Sequence, residues 1–178
     1  MPFEHAPPMR CRTGFAALLA LLLAACASPR GPAPLPDGHS VLPGTRVSLA
    51  LPDGFRHAPE LAGFESPDER TAIFGNVVPG SVYATMRSFS AEDFQKNGML
   101  LDRHERVTVD RWPARLYHAT QPVRETVLAR WVLVFGDSSR SVVLTAVTPE
   151  ERRSALEAPL RAALLSARWH RSGVLAEP

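Results

Sequence analysis

The stretch Val127-Leu128-Ala129-Arg130-Trp131-Val132-Leu133-Val134-Phe135 is apolar in both of its period-two registers. If it is extended, Val127, Ala129, Trp131, Leu133 and Phe135 share one face, and Leu128, Val132 and Val134 share the other. A strand that is apolar on both sides needs cover on both sides. The chain must therefore build layers above and below a sheet. Gly136-Asp137-Ser138-Ser139 turns the chain, and Ser141 to Val147 returns as a second strand.

Further strand signals precede this pair. Arg46 to Leu51 alternates, with Val47, Leu49 and Leu51 on one face. Thr71 to Val78 is closed by Pro79-Gly80. Arg106 to Val109 and Ala114 to Thr120 are joined by the turn-like Asp110-Arg111-Trp112-Pro113. Two helical regions flank the strands. Ser81 to Asn97 carries Val82, Met86 and Phe89 at helical spacing, then a fresh cap at Ser90-Ala91-Glu92-Asp93, which predicts one broken helix or two short ones. Thr148-Pro149-Glu150-Glu151 reads as the capped start of a last helix. Its apolar stripe is Leu156, Leu160, Ala163, Leu164 and Ala167, and Pro159 is expected to kink or divide it.

The N-terminal region has a different grammar. Phe15 to Ala25 is nearly all Ala and Leu, about half of the roughly 20 residues a spanning helix needs. A short apolar run behind Arg10 and Arg12, ending in small residues, is the pattern of a secretory signal. It closes on Leu23-Ala24-Ala25-Cys26, which resembles the lipobox of bacterial lipoproteins. Residues 1–25 are thus expected to be removed and Cys26 to carry the lipid. Met9 heads a more compact basic segment than Met1 does and is the expected start. Ala27, not Asp, follows the cysteine, which resembles a signal for transfer to the outer membrane. Prolines crowd the stretch to Pro36, so 26–44 is expected to be a tether. Fully extended, it reaches roughly 50 Å at about 3.1 Å per residue.

The folded part is expected over 45–169, one domain of about 125 residues, with 170–178 as a tail. Only two cysteines exist, and Cys11 falls in the removed segment, so no disulfide framework or cysteine metal cluster holds the domain. The formal net charge is +2, and loss of the first 25 residues leaves it near neutral. That gives no case for a nucleic-acid partner.

The order of short motifs adds a resemblance. Leu51-Pro52-Asp53-Gly54-Phe55 comes first, then Val78-Pro79-Gly80-Ser81, Gly98-Met99 and Val109 to Ala114. Arg130 to Gly136 follows, and Thr148-Pro149-Glu150 comes last. This series resembles the PsbP/DcrB-like group across Thr45 to Trp169, with Phe55 where the group often has Trp. The resemblance implies an α+β fold, an α/β/α sandwich with a mainly antiparallel sheet between helices. It also implies small exported or accessory proteins that bind or assemble other proteins, mostly without enzymatic activity. The group shares no catalytic residues, so none is carried over.

A search for chemistry in the residues agrees. His39 and His170 flank the domain and are expected in solvent. His57, His104 and His118 lie inside it, but no pair has the spacing of metal ligands on one strand or helix. A site across strands from His104, Glu105 and His118 is the alternative to plain surface histidines. Asp93, Asp102 and Asp110 are the acids available to such histidines. Ser138-Ser139 lacks the glycine elbow of a nucleophile, and no glycine-rich phosphate loop follows a strand. Trp131 is expected in the core and Trp169 against the sheet. Trp112 belongs either to hairpin packing or to a partner surface.

Three readings follow. The chain is an envelope lipoprotein with a non-catalytic binding or accessory domain, bound to the membrane by its lipid and to a protein partner. Alternatively, it is an envelope enzyme or metal protein using His104 or His118, or it is a structural spacer. The first is adopted, with no catalytic residue, metal or cofactor.

Overall fold

The two-faced run Val127–Phe135 becomes an inner strand of a seven-stranded antiparallel sheet, as its pattern requires. The structure, a computed structural model, describes residues 35–170. Cys26, Met9, the acylation signal, residues 26–34 of the tether and residues 171–178 lie outside the described residues. In chain order the strands are His39–Val41 (β1), Val47–Ala50 (β2), Arg56–Ala58 (β3), Gly63–Glu65 (β4) and Ala72–Pro79 (β5). Two short helices follow, Val82–Arg87 (α1) and Ala91–Lys96 (α2). Then come Leu100–Val109 (β6), Trp112–Val123 (β7), Thr126–Gly136 (β8) and Arg140–Pro149 (β9). A 3₁₀ turn at Glu150–Arg152 leads into Arg153–Leu165 (α3) and Arg168–Trp169 (β10).

The large sheet runs β3-β4-β5-β9-β8-β7-β6, and a small sheet runs β1-β2-β10. Strands β6 to β9 form consecutive hairpins. The first turns on Asp110-Arg111, with Val109 opposite Trp112 and Asp110 at φ 56°. The third closes at Gly136, whose φ of 152° and 2.4 Å clearance from a Cβ to the Arg140 carbonyl oxygen exclude any side chain. There Asp137 Oδ1 accepts from the Ser139 and Arg140 amides at 2.6 and 2.9 Å.

The link from β5 to β6 decides how the sheet is covered. It starts beside β9 and must pass over β9, β8 and β7 to reach the far edge. It does so with α1 and α2, each of six residues. At about 1.5 Å per residue each helix is about 9 Å long, and a helix is only about 10 Å wide. Strands of ten to twelve residues are roughly 35 Å long. The helices therefore form one band across this face and leave much of it uncovered. Val82, Met86 and Phe94 bury against Tyr117, Ala119, Val132 and Val134 in that band. Ser81 caps α1, and Ser90 with Asp93 forms the capping box of α2, so the region is two short helices.

The opposite face is covered by α3 and by the small sheet. Leu160, Ala163 and Leu164 of α3 join Leu42, Val47 and Leu49 over Trp131, Leu133 and Phe135. Trp169 is buried in β10, and Trp112 is half-buried against it, ring centroids 5.9 Å apart. The hairpin reading of Trp112 is the one the structure bears out. The α+β sandwich, mainly antiparallel with helices on both faces, is therefore the fold.

Three local expectations change. The boundary at Thr45 falls inside the folded part: β1 pairs with β2 from His39, and Leu42 is fully buried. Thr148 does not cap the last helix. It lies within β9, and its hydroxyl bonds the Thr71 hydroxyl at 2.8 Å, so the chain passes through the 3₁₀ turn before α3 begins. Pro159 does not divide α3. It sits on the exposed side, where the carbonyl it frees is open to solvent.

Candidate functional site

Two places on the sheet collect polar chemistry, one on each face. The first is under α3. On β7, Ala114, Leu116 and His118 alternate toward the main core, and Arg103 and Glu105 of β6 stand opposite His118 and Leu116. His118 is 0% exposed, not the surface histidine expected. Its Nε2 lies 3.0 Å from Glu105 Oε1, while Nδ1 has no hydrogen-bond partner among the described residues and faces Glu157 Oε1 at 3.7 Å. Burial lowers the His118 pKa, partly offset by the hydrogen bond to Glu105.

Glu105 is gripped from above. Arg161 donates to it from Nε at 3.3 Å and from Nη2 at 2.9 Å. These bonds from Arg161, helped by His118, hold the Glu105 carboxyl down to about 2. Arg103 donates to Glu157 at 2.7 Å, and Arg153 to Asp102 at 2.8 Å. The cluster is a clasp of paired charges joining β6 and β7 to α3.

The alternative trio of His104, Glu105 and His118 does not assemble. His104 stands opposite Tyr117, on the other face, with ring centroids 5.8 Å apart. A one-residue step along a strand reverses the face, so only Glu105 and His118 meet. The acids are engaged elsewhere: Asp93 in its capping box, Asp102 with Arg153, Asp110 with Arg168. Among the described residues no group of three His, Cys, Asp or Glu side chains is placed to hold a metal. His57 is exposed, edge-on to Phe64. His39 and His170, expected in solvent, are half-buried and bracket the buried Ser48, at 3.3 Å from His39 Nδ1 and 2.8 Å from His170 Nε2.

The second place lies on the α1–α2 face, beside the helical band. A groove of about 310 Å³ is walled by Phe89, Phe94, Met99, Val132 and Val143, with Arg130 among the lining residues. Ser88, Asp93, Asn97 and Thr145 supply its other polar groups. The Tyr117 hydroxyl donates to the Met86 carbonyl at 3.0 Å, and Phe89, Phe94 and Tyr117 pack ring to ring, which fixes the helical wall.

Arg130 is half-buried, and its Nε is buried with no acceptor among the described residues. Burial alone lowers its pKa; no carboxylate raises it. Gln121 Oε1, on the same face, is also buried without a partner. Asp93 shares the groove, but its carboxylate is committed to Ser90. Sequence reasoning singled out neither Arg130 nor the groove. The signal was present, since Arg130 is the one charged residue in an otherwise apolar register of β8.

Solved structures share this architecture. LpqN of Mycobacterium tuberculosis, a protein involved in cell envelope biogenesis, matches with a TM-score of 0.53 at 13% identity, over 68% of this chain and 81% of that one. Cyanobacterial PsbP (CyanoP) from Synechocystis matches with a TM-score of 0.52 at 12% identity, over 78% and 99%. A Bacteroides thetaiotaomicron protein matches with a TM-score of 0.50 at 13% identity, over 77% and 50%. The chain has a PsbP-like fold. No protein-family model matches it, and no curated protein matches it.

Proposed function

We propose that this chain is an envelope lipoprotein of the PsbP/DcrB-like group. Residues 1–25 are cut off, Cys26 takes the lipid, and a proline-rich tether carries a non-catalytic binding or accessory domain. The observation that carries this reading is Leu23-Ala24-Ala25-Cys26 at the end of the short apolar run. Multiple acyl chains at Cys26 hold a membrane far better than the single chain that binds marginally. Ala27 favours the periplasmic face of the outer membrane. The involvement of LpqN, a neighbour in fold, in cell envelope biogenesis supports the same compartment.

The non-catalytic part rests on the engagement of the reactive side chains. His118 is inside the clasp with Glu105, and His104 is on the opposite face. A hydrolytic or metal-dependent reaction needs converging groups around an open position, and these two do not converge. The groove with Arg130 favours binding over a plain spacer.

Mass spectrometry of the native protein tests the anchor. The expected mature N-terminus is a lipid-modified Cys26, and Cys26→Ser abolishes labelling by a radiolabelled fatty acid. An unmodified cysteine, or residues preceding it in the mature chain, overturns the reading. Fractionation tests the sorting, with recovery in the outer membrane expected.

A further inference from the structure

We infer that the groove beside α1 and α2 is a binding site for an aliphatic monocarboxylate, with Arg130 taking the carboxylate and the apolar wall taking the chain. This deepens the reading of the domain as a binding module and does not depend on Cys26.

The argument starts from charge. A half-buried cation costs free energy unless an anion or hydrogen-bond acceptors compensate it. On the α3 face, Arg153 and Arg161 are each paired with a carboxylate. Among the described residues Arg130 has no such partner, and its Nε is buried and unbonded. A guanidinium presents a planar fork of donors that fits a carboxylate through two parallel bonds.

The remaining walls narrow the class. Phe89, Phe94, Met99, Val132 and Val143 offer apolar contact, and about 310 Å³ falls at the small end of ligand sites. The carboxylate of Asp93 in the same groove disfavours a second negative charge, so a monoanion fits better than a phosphate. A peptide carrying a free C-terminal carboxylate is the other source of this chemistry. The groove lies on β8 and β9, inner strands whose backbone groups are already paired. A peptide lying there finds no open strand edge for its amides. An alkyl chain has no amides to satisfy.

The test is calorimetric titration of the full chain with decanoate, decanol and an apolar acetylated peptide with a free C-terminus. Decanoate is expected to bind saturably with Kd below about 1 mM. Arg130→Met is expected to weaken decanoate at least about tenfold and to leave decanol unchanged. Val143→Trp, which fills the apolar wall, is expected to remove binding of both. Arg124→Met, in an exposed turn, serves as the control and is expected to change nothing. The melting curve of Arg130→Met checks its folding. If that variant does not fold, Val143→Trp and the preference of the wild-type chain for decanoate over decanol decide the question. No saturable binding of decanoate, equal binding to wild type and Arg130→Met, or tighter binding of the peptide overturns the inference. Each of these leaves the acylation of Cys26 untouched, so the two readings fail separately.

Discussion

The two faces of the large sheet are made from the same strands yet end up with different chemistry. On the α3 face, a helix of 13 residues and the small sheet enclose a cluster of twenty buried side chains. On the other face, two helices of six residues enclose seven. The longer cover brings Arg153, Glu157 and Arg161 over the rim, so the acids of β6 and the histidine of β7 find partners. The shorter cover stops before Arg130, which keeps its charge toward a groove. Helix length thus decides which face is structural and which remains open to a ligand.

The largest expected effect tests the depth of the first face. Trp131→Ala removes a side chain with no exposure and is expected to cost about 3–5 kcal/mol. Val132→Ala, its neighbour on the second face, is expected to cost about 1–2 kcal/mol. Chemical denaturation midpoints compare the two, and equal losses would break the distinction between the faces. Next in size is the clasp. His118→Ala is expected to lose about 1–3 kcal/mol because a buried, hydrogen-bonded ring is replaced by a void. His104→Ala, exposed on the other face, is expected to stay within about 0.5 kcal/mol. Similar melting of both single variants would mean that His118 is not buried.

The clasp also gives a pH signature. The pKa of His118 is lowered in the folded state, so the unfolded chain takes up its proton first. Stability is therefore lost as pH falls below the ordinary 6.5 toward the folded value. The Glu105 carboxyl is held at about 2 against an ordinary 4.5, so its stabilising contribution is present above 4.5 and disappears as pH falls from 4.5 to about 2. Melting temperature against pH is expected to show both declines. His118→Leu is expected to shrink the upper one, which the buried faces of His39 and His170 share, and Arg161→Gln to shrink the lower one. The smallest effect belongs to the second face. Arg130→Met in the ligand-free protein is expected to change stability by between about 0 and 1 kcal/mol, in the stabilising direction, because no ion pair is lost. A clear loss in denaturation would show that Arg130 supports the fold.

Period-two patterns were readable wherever a strand has apolar faces. That covers β8, β9, β5 and β2. They were unreadable in the first half of β6, where Asp102, Arg103, His104 and Glu105 follow one another. This edge strand takes its pairing from β7 and tolerates charge on its solvent side. Strands β3 and β4, of three residues each, carry too few positions to show a period. β1 hides behind the prolines and exists because β2 offers it a partner. Cap signals held where the serine side chain was free, at Ser90, and failed where a tertiary bond claimed the hydroxyl, at Thr148. The clasp was half legible. The alternation of Ala114, Leu116 and His118 carried the signal that the histidine points inward, but Arg161, which holds its partner Glu105, comes from α3, far along the chain. The groove was not legible, since it follows from how little sheet two short helices can cover.

The small sheet carries one more implication. Its middle strand β2 is flanked by β1, near the start of the described chain, and by β10, at its end. Both flanking strands run antiparallel to β2, so they run parallel to each other: the chain enters the small sheet beside Ala50 and leaves it beside Arg46. Adjacent strands lie about 4.8 Å apart, so the two ends of the folded part are near neighbours that depart from opposite ends of β2. A force drawn between them would slide β1 and β10 along β2 in shear.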